Sequence, residues 1–81
     1  MIIINPKTKA EVDAIKECID LLHNGYFILF SCGERGDAFI RLRHCKNGRM
    51  LTFRIRLDGY TISENGKVIK EVNMSDRLVS D

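Results

Sequence analysis

Apolar residues recur at two different spacings along this chain, and the change of spacing predicts its elements. In residues 9–23 they lie three or four positions apart, as on one face of an α-helix, at Val12, Ile15, Ile19 and Leu22, with Cys18 widening the stripe. Asn24-Gly25 then supplies the left-handed stop of that helix. From residue 26 onward apolar and polar positions alternate, which predicts strands at residues 26–32, 38–45, 50–57, 60–64 and 67–72.

Three Asn-Gly or Asp-Gly pairs separate the later strands and predict tight turns, because two-residue type I′ turns favour these residues. Turns at Asn47-Gly48, Asp58-Gly59 and Asn65-Gly66 pair Arg41 with Arg54, Leu57 with Tyr60, and Ile62 with Ile69. One face then collects the apolar residues Ile40, Leu42, Phe53, Ile55, Leu57, Tyr60, Ile62 and Ile69. The predicted fold is α+β: one N-terminal helix packed on one face of a five-stranded antiparallel β-meander, in a single domain covering residues 1–81.

The face away from the helix is predicted to be a binding surface. A four-residue loop at residues 33–36 sets Cys32 opposite Asp37, and it turns Tyr26, Ile28 and Phe30 away from the helix and Phe27 and Leu29 toward it. A helix about 10–12 Å across covers at most one side of five strands, so the other side stays open. The candidate binding residues on that side are Arg41, Arg43, Arg54, Arg56, Phe30, Phe39 and Tyr26.

The predicted pairing of Arg41 with Arg54 has a consequence for stability. Like charges directly opposite each other destabilise a sheet. Replacing Arg54 by Thr is therefore expected to stabilise the free domain and to weaken the binding of an anionic partner.

Charge is unevenly distributed along the chain. The net charge is +2, but residues 26–57 hold six Arg and one Lys against two acids, which gives +5. The three cysteines, Cys18, Cys32 and Cys45, form no Cys-x-x-Cys motif, which favours reduced thiols and a cytoplasmic location. The longest apolar run, residues 26–30, is far shorter than the roughly 20 residues of a membrane-spanning helix. We expect no metal, no cofactor and no membrane contact.

These observations favour a small non-enzymatic binding module with no catalytic residues. Aromatic and basic side chains on an open sheet are typical of single-strand RNA-binding modules, so nucleic acid, RNA in particular, is the first expected partner. The same residue types are enriched at protein interfaces, so an inhibitor or adaptor that contacts an acidic protein surface is the alternative; phage and mobile-element accessory proteins are the analogy. A homodimer through the open face is a further arrangement, although it would bring arginines of both copies together.

The order helix, Asn-Gly-aromatic and three strands, with residues 43–49 at the second turn, resembles the HicA-type toxin fold, a small relative of double-stranded RNA-binding domains. The resemblance covers residues 9–57 and implies a third function, that of a small ribonuclease toxin relative. That family carries its catalytic histidine in a Gly-Ser-His-His stretch, where this chain has Gly36-Asp37-Ala38-Phe39. The usual catalytic histidine is therefore missing, and a closing helix is replaced by the hairpin around Asn65-Gly66.

Two segments are left open by the pattern. Residues 2–4 either pack at the helix entry or add an edge strand, and residues 73–81 are polar apart from Met74, Leu78 and Val79.

Overall fold

The computed structural model describes residues 9–34 and 36–73. It contains one helix, α1 (Lys9–His23), and five strands: β1 (Tyr26–Glu34), β2 (Asp37–His44), β3 (Met50–Arg56), β4 (Gly59–Glu64) and β5 (Lys67–Asn73). All neighbouring strands are antiparallel and follow the order β1-β2-β3-β4-β5. The predicted α+β meander is confirmed. The alternatives for residues 2–4 and for the tail beyond Asn73 lie outside the described residues.

Helix α1 packs on the sheet through its small residues. Ala10, Ala14 and Cys18 are buried at spacings of four, and Leu21 packs against the same core. The predicted apolar face of the helix is wrong for its last two residues, because Ile19 is 45% exposed and Leu22 is 38% exposed. Small side chains let the helix backbone approach the sheet closely, and this rotates the larger apolar residues to the flank of the helix.

The core lies between α1 and one face of the sheet. Its fully buried side chains include Leu42, Phe53 and Ile55, and Tyr60 stacks on Phe53 with ring centroids 6.2 Å apart. The remaining buried sheet residues are Ala38, Ile40, Leu51 and Ile62. Every buried residue of β2 and β3 therefore lies on the face that the sequence pattern assigned to the core.

The carboxylate of Glu17 links the helix to the last two strands of the sheet. Glu17 accepts a hydrogen bond of 2.7 Å from the Tyr60 hydroxyl, and Lys70 Nζ lies 3.0 Å from both of its carboxylate oxygens. Desolvation, followed by this hydrogen bond, raises the pKa of Tyr60 well above its usual value. The contact joins α1, β4 and β5, and it fixes which side of the helix faces β5.

The register between β2 and β3 differs from the predicted one by two residues. Arg41 pairs with Thr52 and Arg54 pairs with Phe39, so the expected Arg41–Arg54 pairing is wrong. The connection spans residues 45–49 and has a positive φ at Gly48 but not at Asn47, so the predicted type I′ turn does not form. Because a shift of two residues keeps each side chain on its face, the arginines still point away from the helix.

The register between β3 and β4 also differs from the predicted one by two residues. Ile55 pairs with Tyr60 and Arg56 with Gly59, so residues 57 and 58 form the turn instead of Asp58-Gly59. The predicted Leu57–Tyr60 pair is therefore wrong, and Leu57 is exposed. A Cβ on Gly59 would lie 2.2 Å from the carbonyl oxygen of Val72, so this tight approach of β5 requires glycine.

The β4–β5 turn confirms the third prediction only in part. Asn65 and Gly66 both have positive φ, as a type I′ turn requires, and Glu64 pairs with Lys67. A bulge then shifts the register between Ile62 and Ser63, and Ile62 pairs with Lys70. The predicted Ile62–Ile69 pair is wrong, and Ile69 is exposed.

Strand β1 contains a second bulge, which changes the faces of its side chains. Ile28 pairs with Leu42 and Phe30 pairs with Arg41, so the bulge falls at Leu29. Before it, Tyr26 and Ile28 face the helix and Phe27 faces away, opposite to the prediction. Glu34 pairs with Asp37 and Cys32 with Phe39, so the four-residue loop at 33–36 with Cys32 opposite Asp37 is also wrong.

Candidate functional site

The open face, the side of the sheet that points away from α1, carries an aromatic and basic surface. The strand pairings place six of the seven predicted binding residues on it: Arg41, Arg43, Arg54, Arg56, Phe30 and Phe39. Tyr26 is not among them, because it packs toward the core. Phe27 takes its place opposite Arg43; the alternation of residues predicted Phe27 on the helix side because the bulge at Leu29 leaves no sign in the sequence.

The three phenylalanines of the open face lie on successive rows of side chains that run across the strands. Phe27 shares a row with Arg43, Phe30 shares the next with Arg41, and Phe39 shares the third with Cys32. Neighbouring rows lie about 6.6 Å apart, since two strand residues rise about 3.3 Å each. Phe27 and Phe30 are each 44% exposed, so nearly half of their surface is available to a ligand.

Arg41 lies at the centre of this surface. Its guanidinium carbon is 5.2 Å from the centroid of the Phe30 ring, which is a cation–π contact, and its Nε donates a 3.2 Å hydrogen bond to Thr52 Oγ1. These contacts hold the guanidinium above the sheet without neutralising it. Thr52 thus positions the charge beside the aromatic ring.

Arg54 is held differently, by an internal ion pair. Its Nε and Nη2 donate to the two carboxylate oxygens of Asp37 at 3.0 and 3.3 Å, and its guanidinium carbon lies 5.1 Å from the centroid of Phe39. The hydrogen bond from Arg54 lowers the pKa of Asp37, and the charge of Arg56 adds to the shift. Arg54 therefore already has an anionic partner, and it offers less charge to a ligand than its position suggests.

The remaining arginines of the open face have no carboxylate within ion-pair distance among residues 9–34 and 36–73. Arg43 Nη2 lies 3.6 Å from the point that a Cβ on Gly48 would occupy, so its guanidinium lies beside the β2–β3 turn. Arg56 lies at the opposite end, near Asp37. Arg43 thus lies at the end of the face toward the β2–β3 turn, whereas Arg56 lies at the end that also carries the Arg54–Asp37 ion pair.

His44 organises the β2–β3 turn. Its Nδ1 accepts hydrogen bonds from the amides of Lys46 and Asn47 at 3.1 and 3.3 Å, which assigns the ring proton to Nε2. Nε2 then donates to the carbonyl oxygen of Asn24 at 3.1 Å. Tyr26 meets the ring edge-on at 4.9 Å. Both nitrogens are therefore engaged in linking the helix end to the turn beside Arg43.

An ion pair and a hydrogen bond, both made by Arg49, stabilise the same end of the sheet. Arg49 donates to both carboxylate oxygens of Glu64 at 2.8 and 3.0 Å, which lowers the pKa of Glu64. Asn47 Oδ1 accepts from the Arg49 amide at 2.8 Å. The Arg49–Glu64 ion pair therefore links the end of the turn to β4.

The cysteines do not form a metal site. Cys18 is buried in the core, and burial raises the pKa of its thiol to about 12. Cys32 and Cys45 are both exposed; Cys32 pairs with Phe39, so six strand residues, or about 20 Å, separate the two. Among the described residues, no group of three or more His, Cys, Asp or Glu side chains is placed to hold a metal ion.

No family model, curated protein or solved structure shows significant similarity to this chain. Within the described ranges, no helix is long and apolar enough to cross a membrane.

Proposed function

We propose that this protein is a non-enzymatic module whose open sheet face binds single-stranded nucleic acid, RNA in preference to DNA. The observation that supports this is the three phenylalanines on successive rows of the open face, the half-exposed Phe27 and Phe30 and the partly buried Phe39, with Arg43 in the row of Phe27 and Arg41 in cation–π contact with Phe30. Bases stack on such rings, and arginines neutralise the phosphates between them. The unpaired cysteines fit a reducing compartment such as the cytoplasm.

The spacing between the phenylalanine rows favours a single-stranded nucleic acid over a duplex. Bases within one strand of a duplex lie about 3.4 Å apart, whereas the phenylalanine rows lie about 6.6 Å apart. Only a strand whose bases are separated from each other can place one base on each ring. The bases of a duplex are already stacked and paired, so a duplex would offer only its phosphates to Arg41 and Arg43.

A titration of labelled oligonucleotides tests the proposal. Equal lengths of single-stranded RNA, single-stranded DNA and duplex RNA are compared by fluorescence anisotropy at low salt. The proposal predicts that single strands bind more tightly than the duplex and that RNA binds more tightly than DNA. Equal binding of all three would show that charge alone is recognised, and the stacking role of the phenylalanines would then be rejected.

The ordered contact of Arg54 with Phe39 favours a second candidate, a protein partner that packs on this unit and whose acidic surface pairs with the other arginines of the open face. The Arg54–Asp37 pair stacked on Phe39 is a preordered unit, and arginine and aromatic residues of this kind often lie at the centre of protein interfaces. Such an inhibitor or adaptor would ignore oligonucleotides and bind an acidic domain through the same face. Failure of all three oligonucleotides to bind would favour this candidate.

A further inference from the structure

The outer edge of β1 is protected by little besides the bulge at Leu29 within the described part of the chain. β1 is the first strand of the sheet, and no other described strand pairs with its outer edge. The eight residues 26–33 contain no charged residue and no proline, whereas the opposite edge strand β5 carries Lys67, Lys70 and Glu71. Natural proteins protect exposed edges with charges, prolines, bulges or a covering element, and of these β1 has only the bulge within residues 26–33. The uncharged residues on either side of that bulge are therefore suited to pairing with another strand.

Apolar side chains flank this edge on both sides of the sheet. Phe27 and Phe30 are exposed on the open face, and the bulge residue Leu29 is 43% exposed. On the helix side, Ile19 and Leu22 are also exposed. At 3.6 residues per turn these two residues lie on the side of α1 away from Glu17, which contacts β4 and β5, and hence on the β1 side. An incoming strand would gain backbone hydrogen bonds and apolar contacts together.

We propose that β1 pairs antiparallel with β1 of a second copy of this chain, about a twofold axis. Two groups at opposite ends of β1 favour this partner. Glu34 is the last residue of β1, and Arg43 of β2 pairs with Phe27 near the other end of β1. Neither side chain has an ion-pair partner among the described residues. Antiparallel pairing brings Glu34 of each copy toward the Arg43 end of the other, whereas parallel pairing would align like charges. The contact is self-complementary, as a twofold interface requires.

This dimer differs from one formed through the open face. Face-to-face contact would oppose the arginines of both copies, whereas edge pairing leaves Arg41, Arg54 and Arg56 on the open face and brings only Arg43 toward Glu34 of the other copy. It joins two five-stranded sheets into one continuous sheet and brings Phe27 and Phe30 of both copies to its centre. The inference does not depend on the proposed function, since it rests on the edge and its flanking residues.

Analytical ultracentrifugation of the full chain tests the inference. We expect a species of twice the chain mass, and Leu29→Lys is expected to convert it to the monomer by placing a charge at the edge. Ile69→Lys is the matched control, because Ile69 is also a bulge residue on an edge strand and is 47% exposed. This control is expected to remain dimeric. A wild-type monomer at high concentration, or equal disruption by both variants, would overturn the inference.

Hydrogen exchange provides a second measurement should Leu29→Lys fail to fold. In the wild-type chain, amides of β1 are expected to exchange more slowly as the protein concentration rises, while those of β5 do not change. Exchange in β1 that is independent of concentration would contradict the pairing, and so would protection confined to β5, which would indicate the other edge.

Discussion

Replacing Phe30 by alanine should weaken the binding of single-stranded RNA much more than it lowers the stability of the fold. The ring lies on the open face, in cation–π contact with Arg41, and it is 44% exposed. Stacking of one base on an aromatic side chain contributes about 1–3 kcal/mol by alanine substitution. Because each 1.4 kcal/mol corresponds to tenfold in affinity, Phe30→Ala should weaken single-stranded RNA binding by about 5- to 150-fold.

The cost of the same change to the fold is smaller. Full burial of a phenylalanine contributes about 1.5–3 kcal/mol, and roughly half of this side chain is buried, so the unfolding free energy should fall by about 1 kcal/mol. For a domain of this size, that lowers the melting temperature by about 4–8 °C. The variant should therefore be folded at 25 °C and deficient in binding.

Leu57→Ala is the matched control for this experiment. Leu57 is 53% exposed and lies in the β3–β4 turn, so its truncation should cost a similar amount of stability. It should leave RNA affinity unchanged. Anisotropy titrations and thermal melts of both variants give the comparison. Unchanged affinity in Phe30→Ala, or equal losses of affinity in both variants, would refute the stacking role.

Three further predictions concern stability. Arg54→Thr should destabilise the fold, the reverse of the sequence-based expectation, and should be non-additive with Asp37→Asn in urea unfolding because the two form one ion pair; additive effects would reject the pair. His44→Ala should lower the unfolding free energy by about 1 kcal/mol through loss of the turn hydrogen bonds, whereas His23→Ala, at the exposed helix end, should change it little. Burial raises the pKa of Cys18 from 9.0 to about 12, so the unfolded chain releases this proton first and stability should fall as pH rises through that interval. Cys18→Ala should reduce this alkaline loss in pH-dependent unfolding, and an identical pH profile would contradict the assignment.

The alternation of apolar residues was sufficient to predict the sheet and most of its faces. The β2–β3 and β3–β4 registers were each displaced by two residues, and such a displacement preserves the face of every side chain. The arginines were thus placed on the correct face although the pairing of Arg41 with Arg54 was wrong. Only Asn65-Gly66 formed the predicted turn, since both residues there adopt positive φ.

Other features depend on contacts between distant residues. The His44 imidazole replaces a tight Asn-Gly turn by binding two amides of the loop and the carbonyl of Asn24, a role that no local motif indicates. The bulge at Leu29 likewise leaves no clear signal in a run of apolar residues. The spacing of Ala10, Ala14 and Cys18 was a usable signal, because small residues four apart allow a helix to lie close to a sheet.

The salt dependence of single-stranded RNA binding tests the central claim most directly. Arg41, Arg43 and Arg56 have no carboxylate within ion-pair distance in the described part of the chain, so three phosphate contacts are expected. At about 0.7 per contact for single strands, the plot of log affinity against log salt should have a slope of about −2. Arg41→Thr should reduce that slope to about −1.4. Absence of binding at low salt, or a slope unaffected by Arg41→Thr, would contradict recognition of nucleic acid by the open face.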